Sequence, residues 1–73
     1  MNSRSHDDIL KAVLEAVATG YDTPARIMHA AFVTNDKAKI ALEELVDAGL
    51  LSYIQEDRKY GITEQGRRKL EMQ

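Results

Sequence analysis

The chain has 73 residues, 44% hydrophobic and 30% charged, a balance typical of one globular domain rather than a disordered segment. It has no cysteine and a formal net charge of −2, which excludes disulfides and thiolate metal sites and counts against indiscriminate binding of nucleic acid. No secretory signal and no membrane-spanning run is recognisable, so a cytoplasmic protein is expected.

The first half of the chain predicts two helices. Ser5 is placed to cap the first, because Asp8 follows three positions later and the positive end of a helix favours acids. An apolar stripe at helical spacing continues it as far as Gly20, which ends it: Ile9, Leu10, Val13, Leu14 and Val17. Thr23 and Pro24 then begin a second helix of about two turns, which the sequence AFVTND breaks.

A third helix is the clearest element of the sequence. Thr34 or Asn35 can cap it, and Gly49 ends it. Its apolar face follows the helical period: Ala38, Ala41, Leu42, Leu45 and Val46. The opposite face is polar and changes sign along its length, with two lysines in the first half and three acids without a base in the second.

The rest of the chain predicts a β-hairpin and a last helix. Residues 50–55 alternate as a strand, the tip EDRK is fully charged, and YGIT resumes an extended pattern. A two-stranded ribbon is barely stable alone, so its apolar side is expected to pack on the helices. Thr63 caps the last helix, in which Leu70 is the main apolar anchor and Gly66 is expected to cost about 1 kcal/mol relative to Ala.

This order of elements predicts an α+β fold of the winged helix-turn-helix type. It comprises three helices, a two-stranded β-hairpin wing and a short C-terminal helix, forming a single winged-helix domain over residues 1–73. In such folds the third helix can enter the major groove of DNA, while the tip of the wing follows the neighbouring backbone.

A set of short motifs occurs in a fairly specific order: Ile9-Leu10, Gly20, Thr23 with Ile27-Met28, Leu42, Leu45, Gly49-Leu50, and Tyr60-Gly61-Ile62-Thr63 with Gly66. In this order the chain resembles a family of small archaeal winged helix-turn-helix proteins, some of them chromatin-type DNA binders and others predicted transcription regulators. The sequence departs from that family at Asn35, Lys37 and Ala41, and lacks the long C-terminal coiled coil of some members. The resemblance implies double-stranded DNA binding in transcription regulation or chromatin.

The candidate DNA-binding residues follow from this geometry. If the third helix enters the groove by its N-terminal half, its side chains reach base edges, and neighbouring side chains on the second helix, the third helix and the wing reach phosphates. Asn35, Asp36, Lys37 and Ile40 are assigned to bases, and Arg26, Thr34, Lys39, Arg58 and Lys59 to the backbone. For each of them the alternative is an ordinary solvated surface position.

Other functions are weighed against DNA binding. The two histidines, His6 and His29, have no partner residues at metal-ligating spacing, and no nucleophile or phosphate-binding motif occurs, so no enzyme, cofactor, metal or small-molecule ligand is expected. The alternative is a winged-helix protein–protein interaction module that does not bind DNA and buries Ile40, Tyr53 or Tyr60 against a partner. A homodimer is expected on symmetry grounds, with the first and last helices as candidate interfaces.

Overall fold

The computed structural model describes residues 5–72. Within them the elements are α1 (His6–Thr19), α2 (Pro24–Ala31), α3 (Asn35–Asp47), β1 (Leu51–Ile54), β2 (Lys59–Ile62) and α4 (Glu64–Glu71). The α+β winged-helix architecture predicted from the sequence is confirmed.

Each helix in this range begins after a hydroxyl-bearing N-cap residue. The side chains of Ser5, Thr23, Thr34 and Thr63 each accept a hydrogen bond from the backbone N–H three residues later. Such a bond satisfies one of the donors that a helix start otherwise leaves unpaired. Of the two residues that could cap α3, Thr34 is the cap and Asn35 is the first helical residue.

The core lies between α1, α2 and α3, as the helical periodicities predict. Val13, Ile27 and Ala41 are completely buried, and Leu14 and Leu42 are 1% exposed. The other buried members of this cluster surround them: Ile9, Ala16, Val17, Ala31, Leu45 and Leu51. Because α3 anchors one full face in this core, its other face is left to solvent.

The hairpin packs on the helices most tightly at its base. β1 and β2 are antiparallel, with Leu51 opposite Ile62 and Tyr53 opposite Tyr60. Leu51 is 2% exposed, whereas Tyr53 is 43% exposed. The expectation that the apolar side of the hairpin packs on the helices therefore holds at Leu51, and the partly buried Tyr60 and Ile62 also pack against the core. Tyr53 remains largely exposed on the same side of the ribbon.

One hydrogen bond and one ion pair hold the hairpin against the α1–α2 connection. The backbone N–H of Tyr60 donates to the carbonyl oxygen of Asp22 at 2.8 Å. The Lys59 Nζ atom lies 3.7 Å from the Asp22 carboxylate. The second strand of the wing is thereby fixed relative to the start of α2.

The first turn of α4 crosses the start of β1 at very short range. The Thr63 hydroxyl accepts from the Gly66 N–H at 3.0 Å and donates to the Gly49 carbonyl oxygen at 2.7 Å. Gly66 is buried, and a Cβ atom there would collide with the carbonyl oxygen of Leu50 and come within 2.8 Å of the Ile62 side chain. Gly66, expected from the sequence only to weaken α4, is the residue that allows α4 to approach.

Candidate nucleic-acid interface

The N-terminal half of α3 is the most accessible part of the predicted interface. Asn35, Asp36, Lys37 and Lys39 are exposed, and Ile40 is 51% exposed. Their accessibility follows from the buried stripe on the opposite side of the same helix. All the residues predicted to reach bases are thus available to a ligand.

The outer side of α3 is an acidic ridge rather than a basic one. With a rotation of 100° per residue, Asp36, Ile40, Glu43 and Asp47 line up directly opposite the buried stripe; we call them the outer ridge. Lys37 and Lys39 lie on the two flanks of the ridge, about 160° apart around the helix axis. The two lysines therefore cannot face the same surface of a ligand, and the ridge itself repels phosphate.

The polar groups at the start of α2 and α3 are partly engaged by capping. The Thr34 hydroxyl accepts from the Lys37 N–H at 3.3 Å, which leaves the hydroxyl hydrogen free to be donated to a phosphate. Arg26 is exposed in the first turn of α2, where its backbone N–H donates to the Thr23 hydroxyl at 3.4 Å. The Arg26 guanidinium forms no ion pair within residues 5–72.

The tip of the wing carries two basic side chains, one of which is already in an ion pair. Arg58 ends the loop of residues 55–58 with φ 55°, a left-handed conformation that Gly or Asn adopts more readily. Lys59 follows it and is partly neutralised by Asp22, at 3.7 Å. With Glu56 and Asp57 beside them, the tip carries no net charge.

Two aromatic features lie near this surface: Phe32, which the sequence did not single out, and the tyrosines Tyr53 and Tyr60, which it named only for the protein-interaction alternative. Phe32, at the turn between α2 and α3, is 88% exposed and has φ 57°. Tyr53 and Tyr60 form a cross-strand pair with ring centroids 4.8 Å apart, beside the second half of α3. The pKa of Tyr60 is raised above 10.0, mainly because the phenol is partly buried and further by the charges of Tyr53 and Glu43, in that order. No periodicity indicates these exposures, because that of Phe32 depends on the turn between α2 and α3 and that of Tyr53 on how the hairpin packs.

The histidines lie on the surface. The Nε2 atom of His6 is 2.7 Å from a carboxylate oxygen of Glu44 and links the start of α1 to α3, and His29 is exposed. Within residues 5–72, no three His, Cys, Asp or Glu side chains converge on a point where they could hold a metal ion. No helix in that range has the length and hydropathy to cross a bilayer.

Comparison with known proteins gives a matching family and similar solved structures. A family model described as winged helix-turn-helix matches residues 3–72. No curated protein sequence matches the chain. Among solved structures it is similar to an O-methyltransferase (NcsB1) from neocarzinostatin biosynthesis, in complex with S-adenosyl-L-homocysteine, with 31% identity and a TM-score of 0.68.

The match to the methyltransferase covers 84% of this chain but only 20% of the enzyme. The chain therefore spans about a fifth of the length of that protein, and the likeness concerns the fold and not the reaction. The family model, in contrast, covers almost the whole sequence. By this match the chain belongs to the winged helix-turn-helix family.

Proposed function

We propose that the protein binds double-stranded DNA, with the N-terminal half of α3 in the major groove and the tip of the wing on the backbone. The observation that carries the proposal is the exposure of Asn35, Asp36, Lys37 and Lys39 on a helix whose opposite face is locked in the core. Membership of the winged helix-turn-helix family supports DNA binding in general.

The acidic ridge limits how α3 can approach the groove. Glu43 and Asp47 would face phosphates if the helix lay along the groove, and like charges at that distance repel. We therefore propose an end-on approach, in which Asn35 and Lys37 reach base edges and the second half of α3 points away from DNA. Ile40, between the two halves, would contact a thymine methyl group.

The remaining contacts are proposed to be with phosphates. Arg26, Thr34, Lys39, Arg58 and Lys59 surround the start of α3 or lie on the wing, and these residue types commonly bind the DNA backbone. If about three cations contact phosphates, the affinity falls about 40-fold between 50 and 200 mM salt, since each contact adds roughly 0.9 to the salt slope.

Fluorescence anisotropy of a labelled random-sequence duplex tests the proposal. We expect binding at 50 mM salt that weakens steeply at 200 mM, and a several-fold weaker Kd for Lys37→Ala. Lys11→Ala is the matched control, because Lys11 is an exposed lysine of α1 outside the proposed interface. Equal losses in the two variants would refute a role for α3, and no binding at micromolar protein would refute DNA binding.

We further propose a role in transcription regulation or chromatin organisation, exerted by a homodimer. A two-fold dimer would present two copies of α3 to neighbouring major-groove segments, which raises affinity and specificity. Footprinting distinguishes the two roles, because a regulator protects a defined site and a chromatin protein protects DNA uniformly. Sedimentation equilibrium measures the oligomeric state, and a monomer over the binding range would contradict the dimer.

A further inference from the structure

A shallow pocket lies between the second half of α3 and the hairpin, away from the proposed base-reading residues. It has a volume of about 310 Å³ and is lined by Glu43, Val46, Asp47, Tyr53 and Tyr60; we call it the acidic–aromatic pocket. Its lining combines two tyrosine rings and a valine with two carboxylates.

The aromatic wall is accessible and held in place. Tyr53 and Tyr60 are directly opposite each other in the hairpin register, and their rings are tilted by 48° at 4.8 Å. Tyr53 remains 43% exposed. A tyrosine ring face carries partial negative charge and attracts a cation placed within about 6 Å of its centre.

The two carboxylates reinforce that attraction. Glu43 and Asp47 lie one helical turn apart on the outer ridge, are both exposed, and have no ion-pair partner within residues 5–72. Glu43 also contributes to the raised pKa of Tyr60, so its negative field extends to the phenol. The pocket is therefore lined by aromatic and apolar groups together with two negatively charged ones.

We propose that the acidic–aromatic pocket binds the cationic side chain of a basic segment on another protein, a Lys ammonium or an Arg guanidinium. Such a group stacks on or points at the tyrosine faces while its charge meets Glu43 and Asp47. Phosphate is repelled by the same carboxylates. A bare metal ion lacks a third ligand here among residues 5–72.

Binding of a basic peptide at this pocket does not depend on the DNA-binding proposal. Lys37 lies on the far flank of the outer ridge, so a cation in the acidic–aromatic pocket does not touch it. The two functions can therefore fail separately. Removing the charges of Glu43 and Asp47 is expected to weaken peptide binding at least tenfold and to leave DNA affinity unchanged or increased.

The test is an NMR titration of the full ¹⁵N-labelled chain at 50 mM salt with a capped nonapeptide of alternating Gly and Arg. A matched peptide carries citrulline instead of Arg, which keeps the planar shape and length but replaces one N–H donor group by a carbonyl oxygen and loses the charge. We expect amide shifts clustered at Glu43, Asp47, Tyr53 and Tyr60, and binding at least tenfold weaker for the citrulline peptide. Equal binding of the two peptides, or shifts confined to other surfaces, would overturn the proposal.

Protein variants test the same surface from the other side. Glu43→Gln combined with Asp47→Asn is isosteric and is expected to weaken the Arg peptide at least tenfold. Glu56→Gln with Asp57→Asn makes the same charge change at the hairpin tip and is the control, with a Kd within twofold of wild type. Equal effects of the two double variants would mean that only net charge matters, and would overturn the proposed site.

Two further outcomes keep the proposal falsifiable. Tyr53→Leu is expected to weaken the Arg peptide about threefold, as the loss of one exposed cation–π contact predicts. The same amides could also shift with protein concentration in the absence of peptide. If the peptide does not reverse those shifts, a second copy of the chain occupies the pocket and the proposal is overturned. The comparison of the two peptides on the wild-type chain needs no variant to fold.

Discussion

Replacing Gly66 by Ala distinguishes local helix propensity from tertiary packing, because the two predict opposite results. In an isolated helix the change is favourable by about 1 kcal/mol. In the fold, the added Cβ would collide with the carbonyl oxygen of Leu50, lie 2.8 Å from the Ile62 side chain and 3.2 Å from the Leu50 carbonyl carbon. Non-bonded carbon atoms prefer separations of about 3.5–4.0 Å, so α4 must retreat from β1 by about 1 Å.

The cost of that retreat outweighs the gain in propensity. Inserting a methyl group into a well-packed site costs about 1–3 kcal/mol. The movement also strains the 3.1 Å hydrogen bond from the Thr63 N–H to the Leu50 carbonyl, which is worth about 1 kcal/mol. After subtracting the helical gain, we expect Gly66→Ala to lower the free energy of unfolding by about 2 kcal/mol, and the Tm by about 8–16 °C for a domain of this size.

Urea denaturation followed by circular dichroism at 222 nm measures this change. Gly61→Ala is the matched control, since a Cβ at Gly61 meets only the Ser52 hydroxyl at 3.6 Å, an ordinary contact. The control is expected to be neutral or stabilising by less than about 1 kcal/mol. If Gly66→Ala is as stable as wild type or more stable, Gly66 does not pack against the Leu50 carbonyl as closely as the structure indicates.

Three other outcomes are expected. Thr63→Ala removes the α4 cap and the hydrogen bond to the Gly49 carbonyl, and should cost about 2 kcal/mol in urea denaturation, whereas Thr63→Ser should cost less than about 0.5; equal losses would contradict the bonds. Phe32→Gly should change the free energy of unfolding by less than about 1 kcal/mol, because glycine adopts the left-handed conformation without strain and this gain offsets its greater chain entropy. Truncating a buried Phe costs about 3–5 kcal/mol, and a loss of that size would refute the exposure of Phe32. NMR titration of the tyrosine Cζ carbons should give Tyr60 a pKa above 10.0, lowered in Glu43→Gln. The neutral phenol is favoured by the fold, so its contribution to stability is complete below pH 10.0 and is lost as the pH rises through the folded pKa; a pKa at or below 10.0 would contradict this.

Much of the architecture could be predicted from the sequence because the signals are local. A hydroxyl residue just before a helix can accept from the N–H groups of that helix start, and Ser5, Thr23, Thr34 and Thr63 each do so. The apolar stripes of α1 and α3 become the core for the same reason, since a helix repeats its face every 3.6 residues whatever it packs against. The exposed candidate residues of α3 followed directly from the stripe.

The candidate surfaces were only partly predictable. The nine residues assigned to DNA lie on the surface, and the opposite flanks of Lys37 and Lys39 follow from the helical period alone. The sequence did not reveal that Lys59 already faces Asp22, because that contact joins the wing to the α1–α2 connection, far apart in the chain. The acidic–aromatic pocket likewise needs α3 and the hairpin to be placed side by side.

Gly66 shows where sequence and tertiary structure divide. The sequence by itself determined which segments are helices and strands, where each begins, and which face of each is apolar, because these depend on residues within a few positions. Only the tertiary structure decided that α4 crosses Leu50 so closely that no side chain fits, and that Tyr53 projects from the core while Leu51 is buried in it. Those distances arise between segments far apart along the chain, and no periodicity encodes them.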